Sequence, residues 1–234
     1  LLHNISLDIM LVVTMVVTRI NLILCHKYFP HYYPFYVLYV YLIKQITFKL
    51  VMPIPDFDHN HVIPPHLGDP SKRGDTSPFE CTTLELCQKF STSKERIEIL
   101  QKFLDFRKRT INSGVKVGFQ WLDGSFLENI EKSEGRNPND IDVVTFYGGL
   151  SLTDQFMAHK FFPEFFSPKL ARDKFLVDHF AVDYSHDPDF TIDQVRYWSQ
   201  LFTHKRNGIW KGMLKIPLNT LKDDENALNY LKSL

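Results

Sequence analysis

Two aspartates, Asp140 and Asp142, open the apolar run at residues 141–146. On a strand, residues two apart share a face, so the spacing predicts two carboxylates projecting side by side. Carboxylates that close repel, and one keeps its proton unless a cation lies between them. Hard oxygen donors, few in number and with room for water, favour Mg²⁺ with substrate phosphates completing its shell. Upstream, Trp121-Leu122-Asp123-Gly124-Ser125-Phe126 sets a Gly-Ser turn at the end of an alternating segment. Glycine lets phosphate oxygens approach the backbone, and a hydroxyl with amides at a helix start can hold them. Ser125 also has a plain structural reading. With Glu128 three residues on it completes a capping box, and a phosphate could share that helix start.

These groups need elements to position them. Residues 53–79 carry six prolines and read as an extended, irregular arm. Residues 82–90 predict a short helix. Thr92-Ser93-Lys94-Glu95 is a capping box before Ile97, Leu100, Phe103, Leu104 and Ile111 at helical spacing, and Gly114 closes that helix. The period then switches to two at Val115, Val117, Phe119 and Trp121, a strand. Residues 141–146 predict a second strand, ending at Gly148-Gly149, and residues 151–162 a helix. Residues 174–184 predict a third, long strand. A helix over 191–203 capped by Thr191, a short strand or hairpin arm over 209–216 and a terminal helix over 223–231 complete the map. Helices mixed with a few strands give an α/β or α+β domain.

The chain has 234 residues, with 27 Lys and Arg against 27 Asp and Glu, 44% hydrophobic and 14% aromatic residues. Such a chain can bury a full core and is not a disordered one. The absence of a basic excess argues against a general nucleic-acid-coating protein. Three cysteines (Cys25, Cys81, Cys87) match no zinc spacing and no disulfide framework, which points to a reducing, cytoplasmic setting.

Composition is uneven. Residues 1–51 hold four basic residues (Arg19, Lys27, Lys44, Lys49) against one acid, Asp8. Residues 9–25 are almost wholly apolar, and residues 28–51 are crowded with aromatics. Neither makes a clean membrane span: Arg19 and Asn21 interrupt the first, and Pro30, Pro34 and Lys44 weaken the second. A central Arg costs roughly 2.5–3.5 kcal/mol on insertion. The favoured reading is an N-terminal extension outside the functional domain, such as a start-site artefact, with the domain spanning 52–234. A membrane-associated hairpin is the less favoured alternative.

Gly-Ser, a spacer, then Asp-hydrophobic-Asp resembles the signature of the nucleotidyltransferase superfamily, whose type member is DNA polymerase beta. More narrowly, residues 122–144 with Tyr197-Trp198, Arg206-Asn207-Gly208 and Lys211-Gly212 resemble a family of small uncharacterised bacterial proteins assigned to that fold. The resemblance covers most of residues 52–234 and none of 1–51. It implies a mixed sheet flanked by helices and two-metal phosphoryl chemistry. Asp140 and Asp142 would bridge two Mg²⁺ ions, and Gly124 and Ser125 would position the β- and γ-phosphates of a nucleoside triphosphate. A hydroxyl would attack the α-phosphorus, expelling pyrophosphate. The acceptor is a protein, an RNA end or a small molecule. The superfamily generally uses a third carboxylate from a neighbouring strand. Asp178 and Asp183 are the candidates, on opposite faces, and Asp178 is chosen because an unpaired acid among apolar neighbours would be costly. The spacer from Phe126 to Asn139 is longer than usual and acidic, with Glu128, Glu131 and Glu134. The rival function is a non-catalytic binding module of the same fold, such as a toxin–antitoxin component.

Other groups have bland readings. Asp56, Asp58, His59 and His61 are read as solvated turn residues, and Cys81 and Cys87 as small apolar fillers. Tyr197, Trp198, Leu201 and Phe202 are read as a core-facing helix edge, and Lys205, Arg206 and Lys211 as a solvated basic loop.

Overall fold

The alternating segment after Gly114 becomes β2 (Val117–Asp123), the middle strand of a five-stranded mixed sheet of order β1-β5-β2-β3-β4. Around it lie β1 (Phe79–Glu80), α1 (Thr83–Phe90), α2 (Lys94–Asn112), a short α3 (Ile130–Glu134) and β3 (Ile141–Gly148). Then follow α4 (Leu152–Phe161), α5 (Pro168–Phe175), β4 (Val177–Asp183), α6 (Pro188–Phe202), β5 (Leu214–Pro217) and α7 (Leu221–Lys232). β3 runs antiparallel to β2 and parallel to β4, while β5 is antiparallel to β2 and parallel to β1. The architecture is the mixed α/β (α+β) class expected. This computed structural model describes residues 54–234, so the extension and hairpin readings of residues 1–51 lie outside the described residues. Among the described residues no helix is long and apolar enough to cross a membrane.

Period-two alternation gives the sheet two different faces. Leu122, Ile141, Val143, Tyr147, Val177 and Leu214 point into the larger core, packed by Leu86 and Phe90 of α1, Phe103 and Phe106 of α2, Phe175 of α5 and Leu231 of α7. Trp121, Val144, Phe146 and Val182 point the other way, against Trp198 and Phe202 of α6. Across the larger-core face runs a buried polar chain. Arg107 ion-pairs with Asp224 at 3.1 Å and donates to Gln120 Oε1 at 2.6 Å. Gln120 Nε2 donates to Thr145 Oγ1 at 3.0 Å, and Thr145 Oγ1 shares a 2.7 Å hydrogen bond with His179 Nε2. Each link joins a different element, so this chain fixes α2, β2, β3, β4 and α7 to one register.

Several boundaries differ from the sequence reading. Residues 174–176 are not strand: α5 runs to Phe175, and Leu176 turns into β4 through a left-handed conformation (φ 53°) without a glycine to announce it. α6 begins at Pro188 with Asp187 as its cap, accepting from the Asp189 and Phe190 amides, so Thr191 is inside the helix. Ser93, not Thr92, caps α2, accepting from the Arg96 amide. The unpredicted full capping box is at α1, where Thr82 and Glu85 bond reciprocally. Tyr197 and Leu201 are half exposed, because only Trp198 and Phe202, one step round the helix, reach the core.

Candidate active site

The register across three strands builds the site. Asp123, the last residue of β2, lies opposite Asp142 of β3, and Asp142 lies opposite Asp178 of β4. Directly opposed residues share a face, so the three carboxylates form one row at the end of the sheet, on the α6 side. Asp140 sits just ahead of β3 rather than within it. It is nonetheless tied to the row by Arg172 of α5, whose Nε lies 3.0 Å from Asp140 Oδ2 while its other nitrogen pairs with Asp178. Asp183 is at the opposite end of β4, accepting from Ser185 and Gln155.

Electrostatics around the row are those of too many acids for their cations. Burial, then the neighbouring charges of Asp140 and Asp178, push Asp142 up to about 6. Burial raises Asp140 as well, with Arg172 opposing and Asp178 adding to it. Among the described residues, nothing hydrogen-bonds or ion-pairs with the Asp142 carboxylate. Gly124 (φ 87°) packs against that group so closely that a Cβ there would stand 2.7 Å from Asp142 Oδ2. The glycine is thus required twice, for its left-handed backbone and for the approach.

Gly124-Ser125 does not begin an α-helix with a capping box. Ser125–Leu127 is a single 3₁₀ turn without a side-chain cap, and Glu128 turns away to two lysines. Buried Lys211 reaches Asp123 Oδ1 at 3.0 Å and Glu128 Oε1 at 2.8 Å, and lies 3.5 Å from the Gly124 carbonyl oxygen. Lys205 reaches Glu128 Oε2 at 2.8 Å. Two members of the supposedly solvated basic loop are therefore internal counter-ions, drawn inward because Glu128 is buried and otherwise unpaired. Burial alone would lower the Lys211 pKa, but Asp123 and Glu128 hold it above its usual value. Burial outweighs Lys211 at Asp123 and pushes that carboxyl up to about 7.

Arg96 of α2 grips the same turn from the other side. Its guanidinium donates to the carbonyls of Phe126 (2.6 Å) and Glu128 (2.7 Å) and pairs with Glu131. The proline-rich arm adds a bridge between Val62 and Glu128, and the Asn129 amide donates to His61. In that arm Asp56 pairs with Lys89, and Asp58 accepts from the Asn60 and Val62 amides, as turn residues do. Cys81 and Cys87 are buried free thiols of the larger core.

Asp142, Asp178, Gly124 and Ser125 thus meet at one end of the sheet, with Asp140 at its edge. Asp123, Arg172, Lys211, Glu128 and Arg96 are partners that sequence reasoning did not assign. Asp123 had a signal, since it continues the alternation of Val117, Phe119 and Trp121. Ser167-Pro168 could have announced α5 and hence Arg172. Lys211 stands in a motif that carries the resemblance, but nothing local announces its partners, which come from a remote turn.

Residues 55–217 match the family described as Family of unknown function (DUF6932). The chain belongs to that family. No curated protein and no solved structure matches it. The DUF6932 match runs from the proline-rich arm to the end of β5, so it contains the acid row, the Gly-Ser turn and all of their counter-ions.

In donor type the acids suit a hard divalent cation, since all are carboxylates and Asp142 lacks a partner that such an ion would provide. As they stand, no three His, Cys, Asp or Glu side chains among the described residues are gathered to hold one. Arg172 takes part of that role, spanning Asp140 and Asp178.

Proposed function

We propose that this chain is a Mg²⁺-dependent nucleotidyltransferase of the DNA polymerase beta-like superfamily, acting in the cytoplasm. The observation carrying this reading is the acid row opposite a glycine that leaves no room for a side chain beside Asp142. Asp140, Asp142 and Asp178 would hold Mg²⁺, two ions in this reading, which neutralises the acids and lowers the barrier to charge build-up at phosphorus. The Gly124 and Ser125 turn, gripped by Arg96 and Lys211, would hold the triphosphate tail of a nucleoside triphosphate in a fixed position. The acceptor oxygen bonds to the α-phosphorus, the α–β phosphoanhydride bond breaks, pyrophosphate leaves, and the acceptor's proton passes to solvent or a carboxylate. The acceptor class is a protein hydroxyl, an RNA end or a small molecule.

The second reading is a non-catalytic binding module, such as one half of a toxin–antitoxin pair. Its specific support is Arg172, which already neutralises two of the acids. One experiment separates them. The full chain is melted with each nucleoside triphosphate, with and without Mg²⁺, beside the Asp140→Ala/Asp142→Ala variant. A ligand at 100 times its Kd stabilises by about 2.7 kcal/mol. The transferase gives a Mg²⁺-dependent shift that the variant lacks, together with pyrophosphate release. A folded wild-type chain giving no shift with any triphosphate sends the assignment to the binding module.

A further inference from the structure

Arg172 is unlike the other cations around the turn. Arg96 and Lys211 are buried and each makes several bonds that water could not replace without opening the fold. The Arg172 side chain is 51% exposed, and its Nε and Nη2 pair with Asp140 and Asp178, which are themselves only 24% and 20% exposed. It stands near the end of α5, where its own carbonyl accepts from Leu176, while Ile141 donates to the Leu176 carbonyl. The backbone under Arg172 is therefore fixed to the starts of β3 and β4, and only the side chain is free to leave. Half-exposed ion pairs cost little to break, because water receives the released guanidinium. The acids left behind are not so served: both lie mostly buried side by side at the end of the sheet, where a bound cation can take the place of the guanidinium.

We infer that Arg172 is a built-in, displaceable counter-ion of the acid row, holding Asp140 and Asp178 while no divalent cation is bound and giving them up when one enters. A long side chain anchored at a fixed backbone point can retreat to solvent without any change in the sheet. Bidentate geometry matters, since a lysine is a point charge and cannot span both carboxylates. The inference rests on the cation-binding part of the function proposed above.

The test is Mn²⁺ binding to the full chain, followed by calorimetry and by the spin resonance signal of free Mn²⁺, with no nucleotide present. Arg172→Gln is expected to bind Mn²⁺ about tenfold more tightly than wild type, equivalent to about 1.4 kcal/mol. Arg172→Lys should fall between them. Without metal, Arg172→Gln should melt lower than wild type, and saturating Mn²⁺ should close that gap, a reversal that a purely structural arginine would not give. Equal Mn²⁺ affinity in a wild-type-like fold, or weaker affinity in Arg172→Gln, overturns the competition and leaves the proposed metal chemistry standing. Failure of every form to bind Mn²⁺ overturns both.

Discussion

Lys211 Nζ lies 3.0 Å from Asp123 Oδ1, joining the loop before β5 to the last residue of β2 at the edge of the Gly-Ser turn. The same ammonium serves Glu128 at 2.8 Å, so one buried cation answers two acids, one at the end of β2 and one just past the turn that follows it.

Replacing it by methionine keeps most of the apolar stem and removes the charge. Asp123 and Glu128 then remain in a nearly dry site, and breaking a buried pair from one side costs about 3–5 kcal/mol. Lys211→Met is expected to lose about 3 kcal/mol in urea unfolding at pH 7. The double change Lys211→Met/Glu128→Gln should recover part of it. A loss under 1 kcal/mol would mean that the lysine is no more than a peripheral contact.

Asp142 predicts the opposite sign. Its folded pKa of about 6 stands above the ordinary 3.8, so the folded chain holds this proton more tightly than the unfolded one. Ionisation therefore subtracts stability as pH rises from about 4 to 6, and the whole cost is present above that. Asp142→Asn should be more stable than wild type by about 2 kcal/mol at pH 8 and nearly equal to it at pH 4. Urea midpoints at the two values decide it, and a destabilised variant at pH 8 would contradict the reading. Loss of function with gain of stability is the usual mark of an acid kept for chemistry.

His179 titrates in the reverse sense. Burial drives it down to about 3 from 6.5, so the unfolded chain takes up the proton first. Stability is lost as pH falls from 6.5 towards 3. His179→Leu should be less stable at pH 7, having lost the Thr145 hydrogen bond, yet it should fall by about 2 kcal/mol less than wild type between pH 7 and 4.5. Parallel acid profiles for the two proteins would show that His179 is not the group responsible.

What the sequence revealed and what it hid divide along sequence distance. The Asp140/Asp142 pair and the Gly-Ser turn follow from local spacing, and Asp178 is preferred to Asp183 for its apolar neighbours. Asp142 and Asp178 do lie opposite each other at one end of the sheet, with Asp140 just ahead of it. The counter-ions Arg172 and Lys211 were hidden because each meets its acids only through tertiary folding. The end of α5 was hidden by the apolar run Phe175-Leu176-Val177, which reads as strand until Leu176 adopts its left-handed turn. Asp187-Pro188 is legible as a cap followed by a helix start, but Thr191 is a capping residue type as well, so local sequence alone offers two starts for α6.

The row of opposed aspartates also bears on how the sheet finds its pairing. A strand that pairs one residue out of step turns every side chain to the other face. For β3 such a slip would drive Asp142 among Phe103, Phe106 and Phe175 and present Ile141 or Val143 to Arg172 and Lys211. The acids that strain the correctly paired chain would be far more costly in the shifted one, so this row of aspartates also proofreads the alignment of the strands that carry it.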